Sequence, residues 1–283
     1  MNKLKEKIMQ VVFAMCACAS ILSVALICLF MLTGGVPAML EIGIGNFLGG
    51  TSWKPLEGLF GILPMIIGSV YVTAGALIIG VPIGLLCAVF LARFCPKKAY
   101  KVIKPAVELL AGIPSIVYGF FGLVVIVPFL RDTIGAGKSV LAASIILGIM
   151  VLPTIISVSE SAIRAVPDSY YEGALALGAT KERSIFRAVL PAARSGIMAG
   201  VVLGIGRVIG ETMAVVMVAG NQAIIPGGIT EGVRTLTANV VLEMAYAEGR
   251  HQEALIATAV VLFVFILMIN LCFSLIKRKG GDK

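Results

Sequence analysis

The sequence predicts an all-α protein that crosses a membrane six times, and three observations predict it. First, 59% of its 283 residues are hydrophobic and only 13% are charged, against about 45–50% and about 25% in a soluble domain. Second, the charges are segregated. Windows without Asp, Glu, Lys or Arg run over Ile8–Leu40, Gly58–Ala92, Leu109–Leu130, Ser139–Ser159 and Ala254–Ile276, each longer than the roughly 18 apolar residues that signal a spanning helix. A sixth window, Ser195–Gly220, is interrupted only by Arg207 and Glu211. Third, the basic residues alternate between loops. Seventeen of the 23 Lys and Arg fall in the N-terminal tail, segments 93–108 and 160–194, and the tail from Lys277, whereas segments 41–57, 131–138 and 221–253 hold five together. Because positive flanks stay inside, both termini and the two basic loops are expected on the cytoplasmic face of a bacterial cell membrane. The division is then a tail at 1–10, one membrane domain over 11–276 with a structured loop at about 160–194, and a tail at 277–283.

Taken in order, the first span follows Lys3, Lys5 and Lys7, and Ala17-Cys18-Ala19 resembles a signal cleavage site. The apolar run nevertheless continues to Leu32, beyond the roughly 7–15 residues of a signal core, so the segment is expected to be retained. Trp53, in the first outer loop, suits an interfacial anchor. The second span carries Pro64, Gly75, Gly80, Pro82 and Gly84, which mark kinks or close packing. Glu160 and Arg164 stand one turn apart at the cytoplasmic end of the fourth span and read as a solvated helix end. In the outer segment Thr230–Glu253, Val233, Leu236, Val240 and Met244 recur at near-helical spacing. They fit a short helix, either meeting an external partner or buried against its own spans.

Several chemistries are excluded. Nucleic-acid binding needs basic residues on one folded face with reading or stacking groups, and here they are spread over alternating loops. Cys16, Cys18, Cys28, Cys87, Cys95 and Cys272 show no paired metal or redox spacing, and His251 stands alone, so neither a metal site nor a catalytic triad is expected. Gly135-Ala-Gly137-Lys138-Ser139 places Asp132 where a nucleotide loop needs its first glycine. Gly204-Ile-Gly206 is followed by Gly210, one residue too late for a dinucleotide fingerprint. Neither a catalytic residue nor a cofactor site of the chain's own is expected.

The long basic loop reads as two short helices. Ser169-x-x-Glu172 after Pro167 has the form of a capping box, strong helix formers follow to Gly178, a left-handed stop, and Thr180 caps a second helix running to Pro191. Apolar residues among its charges suit a docked partner, or helices lying on the membrane surface. Glu172-Gly173-Ala174, Gly178 and then Leu190-Pro191 resemble the EAA loop of binding-protein-dependent ABC import permeases, with Gly173 and Ala188 as small departures from the pattern. The stretches Glu108–Leu123, Ala165–Thr180 and Gly206–Asn221 resemble the PstC-type permeases of phosphate importers within that family. The resemblance implies a type I ABC importer fold and a coupling helix formed by Glu172, Gly173, Ala174, Gly178, Leu190 and Pro191. It also implies a PstA-like second permease, two ATPase subunits that use ATP and Mg, an extracytoplasmic phosphate-binding protein and a PhoU-type regulator.

The fifth span carries the other informative feature. A central charge costs roughly 2.5–3.5 kcal/mol on insertion, so such residues face protein or water and are functional candidates. Arg207 and Glu211 lie at i and i+4 and can pair on a continuous helix. With Gly196, Gly200 and Gly204 they share one arc of about 80°, and small residues every fourth position permit close helix approach. The pair either lines a pathway, with Arg207 as a planar donor array for phosphate oxyanions and Glu211 tempering its charge so that the ion can leave, or simply fixes assembly. Rival readings change the cargo to molybdate or sulfate, or make the chain a stand-alone ion-driven carrier with Arg207 and Glu211 as its coupling pair.

Overall fold

The structure is a computed structural model that describes the backbone of residues 3–281 and the side chains of 5–272. Met1, Asn2, Asp282, Lys283 and the side chains of the expected tail at 277–283 lie outside the described residues. Helix α1 (Lys3–Ile42) is 40 residues long, about 60 Å at 1.5 Å per residue, twice the hydrocarbon thickness of about 30 Å. Residues 3–10 of the expected N-terminal tail are therefore a continuation of the first helix. A short α2 (Ile44–Gly49) and a two-stranded hairpin, β1 (Trp53–Lys54) and β2 (Leu59–Phe60), lead into α3 (Leu63–Val89).

The basic segment after α3, read by its charge as a loop, is the amphipathic helix α4 (Lys97–Gly112). Its buried Val107 packs with Leu91 and Ile156. Ile113 and Pro114 are extended, and the third span continues as α5 (Ser115–Phe121), a π-helical turn at Gly122–Ile126 and α6 (Val127–Ile134). Helix α7 (Val140–Arg164) runs through the middle of the bundle, buried against α3 and α11 (Arg194–Gly210). Glycines make that packing close. A Cβ on Gly80 would stand 2.6 Å from Val151 Cγ1, and one on Gly84 2.9 Å from Ile155 Cγ2. The small residues of the second span thus serve close approach, with Pro82 inside an unbroken helix.

The connection between α7 and α11 contains α8 (Asp168–Ala176), α9 (Lys181–Ser184), a π-helical turn at Ile185–Val189 and α10 (Leu190–Ala192). The chain then bends by 70° into α11. Among the described residues five helices are long and apolar enough to cross a membrane, and the bent pair makes a sixth when it is counted as one span. The fifth window is not one helix. It stops at Gly210 and restarts as α12 (Met213–Val218). Segment 230–253, expected outside, forms α13 (Leu236–Glu243), and the last described helix is α14 (Arg250–Gly281), which crosses α1 at Gly35 against Ala257 and Val260.

Val233 and Leu236 are fully buried, and the Leu236 amide donates to Ser69 Oγ of α3. The apolar spacing of the outer segment therefore records burial against the chain's own spans.

Candidate functional site

Arg207 sits in the last turn of α11, half-buried, and its Nη1 donates to Thr154 Oγ1 of α7 at 3.3 Å. Among the described residues no carboxylate pairs with it. The expected i, i+4 pair with Glu211 does not form, because the helix that would align them ends one residue too early. Glu211 is extended, at φ −70° and ψ 130°. Its Oε1 instead accepts from the Ala214 amide in the first turn of α12, at 3.2 Å, and its carbonyl accepts from Thr237 Oγ1 of α13, at 3.0 Å. Both bonds satisfy backbone groups that a helix break inside a membrane would otherwise orphan.

The guanidinium has one neutral hydroxyl partner among the described residues, leaving most of its five donors for an anion. On the same helix, Gly196, Gly200 and Gly204 face α7. Cβ atoms there would stand 2.4 Å from Ala162 Cβ, 3.1 Å from Ser159 Oγ and 2.9 Å from Val151 Cγ2.

The connection between α7 and α11 presents a different surface. Helix α8 begins at Asp168 behind Pro167, with no side chain capping it, so the Ser169–Glu172 capping box is not made. Asp168 occupies the first turn instead, where a negative charge meets the helix dipole, and accepts from Arg93 Nη1 at 3.1 Å. Gly178 has φ +83° and its amide bonds Leu175 O, a left-handed stop that a Cβ would strain. Thr180 Oγ1 accepts from the Arg183 amide and so caps α9. Ile185 and Val189, both fully buried, fasten the segment to Ala88, Val89, Ile163 and Val166. Glu172, Gly173 and Pro191 are exposed, and Ala174 and Leu190 are half-buried. Leu177 is 91% exposed and Phe186 51%. An apolar crest on a firmly seated polar loop is what a docking surface requires.

Two buried carboxylates escaped the sequence reading. Glu160, read as a solvated helix end, is 1% exposed and accepts from Arg164 Nε at 2.6 Å, Lys104 Nζ at 2.7 Å and Tyr100 Oη at 2.8 Å. Its hydrogen bond to Tyr100 pushes that phenol above its ordinary range, and burial adds to the effect. The pairing of Tyr100 with Lys104 at i, i+4 was the available signal. At the start of the segment before α14, Glu243 of α13 accepts from Trp53 Nε1 and His251 Nε2, each at 2.8 Å, and from Arg234. Trp53 is therefore a buried tie between the hairpin and α13 rather than an interfacial anchor, and His251 has a carboxylate partner. Among the described residues no three His, Cys, Asp or Glu side chains gather as a metal site would need.

Burial pushes the Glu243 carboxyl up, but the hydrogen bonds from Trp53, His251 and Arg234 outweigh it and hold it below the usual carboxylate range. A depressed carboxyl pKa contributes stability that is complete above the unfolded value of about 4.3 and is lost as pH falls through the folded one. Trp53 is the one tryptophan of the chain, so its fluorescence reports this tie. In the purified subunit its emission is expected to hold steady from about pH 7 to about pH 5 and to move to the red only below about pH 4. A transition centred above pH 5 would contradict the assignment.

Residues 80–279 match the family model of the binding-protein-dependent transport system inner membrane component. Over 273 residues the chain is 38% identical to the probable ABC transporter permease protein YqgH of Bacillus subtilis, covering 92% of this chain and 88% of that one. It is 36% identical over 275 residues to the phosphate transport system permease protein PstC of Mesorhizobium japonicum, covering 87% and 84%. A chain of the bacterial alginate ABC transporter, solved with an alginate pentasaccharide-bound periplasmic protein, superposes with a TM-score of 0.66 at 18% identity, covering 98% of both chains. That likeness concerns the fold alone.

Proposed function

Because the chain belongs to the family of binding-protein-dependent transport system inner membrane components, it is a multi-pass, non-catalytic permease subunit of an ABC importer, and we propose that its cargo is phosphate. Membership brings an ATPase and a binding protein as partners and removes the reading of a stand-alone ion-driven carrier. The observation that carries phosphate is the identity to PstC over most of both chains. A half-buried guanidinium without a carboxylate partner agrees with it, since an anion needs a fixed positive charge that nothing else neutralises. One neutral hydroxyl neighbour also leaves the attraction moderate, as passage requires binding weak enough for release.

In this reading Arg207 and Glu211 stand on the pathway, Arg207 as the anion donor array and Glu211 as the residue that shapes the helix break. Glu172, Gly173, Ala174, Gly178, Leu190 and Pro191 couple the chain to the ATPase, and Gly196, Gly200 and Gly204 hold α11 to α7. Residues 11–276 form the permease domain, and the tails at 1–10 and 277–283 face the cytoplasm with α4 and α8–α9, as the division of basic residues supports. The chain holds no cofactor, while ATP and Mg are used by a pair of ATPase subunits. A PstA-like permease completes the pathway, a phosphate-binding protein delivers the cargo, and a PhoU-type regulator acts on the assembly.

Uptake of labelled phosphate by the reconstituted complex, with molybdate and sulfate as competitors, tests the cargo. Phosphate uptake that neither competitor suppresses is expected. Uptake blocked by equimolar molybdate or sulfate would transfer the assignment to that oxyanion.

Docking is tested separately. Glu172→Lys reverses an exposed charge on α8, and Gly178→Asp places a side chain at φ +83°, a conformation that costs an L-residue roughly 1–2 kcal/mol. Each is expected to reduce binding-protein-stimulated ATP hydrolysis about tenfold, the weight of one good interface contact. Unchanged hydrolysis and pull-down in both variants would remove the loop from the interface.

A further inference from the structure

We propose that Glu160 and Arg93 are positioning residues that transmit movement of the α8–α9 loop to α4 and from there to the helix break beside Arg207. The inference rests on the reading of α8–α9 as the ATPase docking surface. It begins at Asp168, the first residue of α8, whose Oδ1 accepts from Arg93 Nη1. Arg93 belongs to the π-helical turn Phe90–Phe94 at the end of α3, and its Nη2 also donates to Ile163 O of α7 at 3.2 Å. From the same turn, Leu91 O accepts from Arg164 Nη2 at 2.8 Å. The Arg164 guanidinium lies 4.3 Å over the Tyr100 ring, and its Nε bonds Glu160. Glu160 in turn holds Tyr100 and Lys104 of α4. Polar contacts, continued through the backbone of the Leu91–Arg93 turn, therefore join the first residue of α8 to α4.

The far end of α4 leads to the candidate pathway. Leu110 O, in its last turn, accepts from Tyr118 Oη of α5 at 2.8 Å, across the extended Ile113 and Pro114. Helix α5 packs on α12, where a Cβ on Gly119 would stand 2.8 Å from Ala214 Cα. The Ala214 amide is the group bonded by Glu211. A shift of α4 along its axis therefore moves α5 and reaches α12 at the residue that Glu211 fixes.

Stability is a poor explanation for this arrangement. Buried ion clusters are often no more stabilising than apolar residues of the same volume, and Glu160 could be replaced with less desolvation. What a multiply bonded buried carboxylate does supply is one geometry, because each donor must be placed to satisfy it. The π-helical turn contributes the yielding element, for such single turns recur at functional sites.

The test uses the full complex with its partner permease, ATPase subunits and binding protein. Spin labels at the exposed positions Lys101 of α4 and Ser169 of α8 report whether the two helices move together. In the unaltered complex one narrow label distance is expected with and without ATP. Glu160→Gln and Arg93→Lys are expected to split or lengthen it when ATP binds, and to lower cargo imported per ATP hydrolysed at least about fivefold, the scale of coupling through packed networks. A structural role alone would lower complex yield without changing that ratio.

Tyr100→Phe keeps the ring under Arg164 and removes one hydroxyl, so it decides the matter if Glu160→Gln fails to assemble. Wild-type distances and an unchanged ratio in the variants that assemble would overturn the proposal. The distance is independent of cargo, so absence of phosphate uptake by the unaltered complex would count against the cargo reading alone. Absence of ATPase association would count against docking.

Discussion

Arg207→Gln is expected to leave the assembled complex intact and to reduce phosphate uptake by roughly 30-fold to 1,000-fold, the effect of removing one member of a desolvated, hydrogen-bonded charge contact. Gln keeps donors near Thr154, so the 3.3 Å contact with that hydroxyl has a substitute and the fold loses little. What disappears is the fixed charge that an oxyanion needs. The structure also decides what the exchange variant should do. Because Glu211 bonds the Ala214 amide and not Arg207, Arg207→Glu with Glu211→Arg puts a cation where an acceptor holds the start of α12. Uptake is expected to stay lost. Normal uptake with Arg207→Gln would end the pathway assignment, and full rescue by the exchange would make the two residues an assembly pair.

The helix break after Gly210 leaves no mark on hydropathy. A window of apolar residues reads the same whether the helix through it is continuous or stops at Gly210, because hydropathy counts side chains and is blind to backbone direction. The i, i+4 inference was correct only for an unbroken helix. The spans themselves were legible because charge is excluded from hydrocarbon residue by residue, which leaves its mark on composition without any tertiary information. Segment 93–108 was counted by charge and so missed as α4, although Tyr100, Ile103 and Val107 fall on one helical face.

Local chemistry was readable to the residue. Gly178 and Thr180 satisfy bonds within four positions of themselves, whereas the Ser169 cap lost to a helix that starts two residues earlier, behind Pro167. Burial of Trp53 was not readable, because its partner lies 190 positions away. For Glu160 the near partner Arg164 was visible, but the two that bury it, Tyr100 and Lys104, lie 60 and 56 positions away and showed only their own i, i+4 spacing. No spacing rule spans such separations, and an isolated Trp or Glu in a sequence looks the same on a surface as at the centre of a cluster.

Spacing of four did identify a seam between two helices, and the seam carries the other large expected effect. Gly196→Ala is expected to destabilise the subunit by roughly 1–3 kcal/mol, the cost of overpacking a filled interior, since the new Cβ would stand 2.4 Å from Ala162 Cβ. Gly200→Leu should cost more, because its side chain must displace Val158 and Ser159 as well. Gly206 is the control. It lies on the same helix with nothing within 4 Å of its added Cβ, so Gly206→Ala should gain up to about 1 kcal/mol of helix propensity.

Thermal unfolding of the purified subunit, with the yield of assembled complex beside it, separates the three. The seam also positions function, for Gly204 lies one turn before Arg207 and packs on Val151 and Ile155, which bracket Thr154. A wedge at Gly200 is therefore expected to weaken the Thr154–Arg207 contact and to depress transport even where assembly survives. Equal melting temperatures for Gly196→Ala and Gly206→Ala would show that α11 is not held to α7 by its glycines.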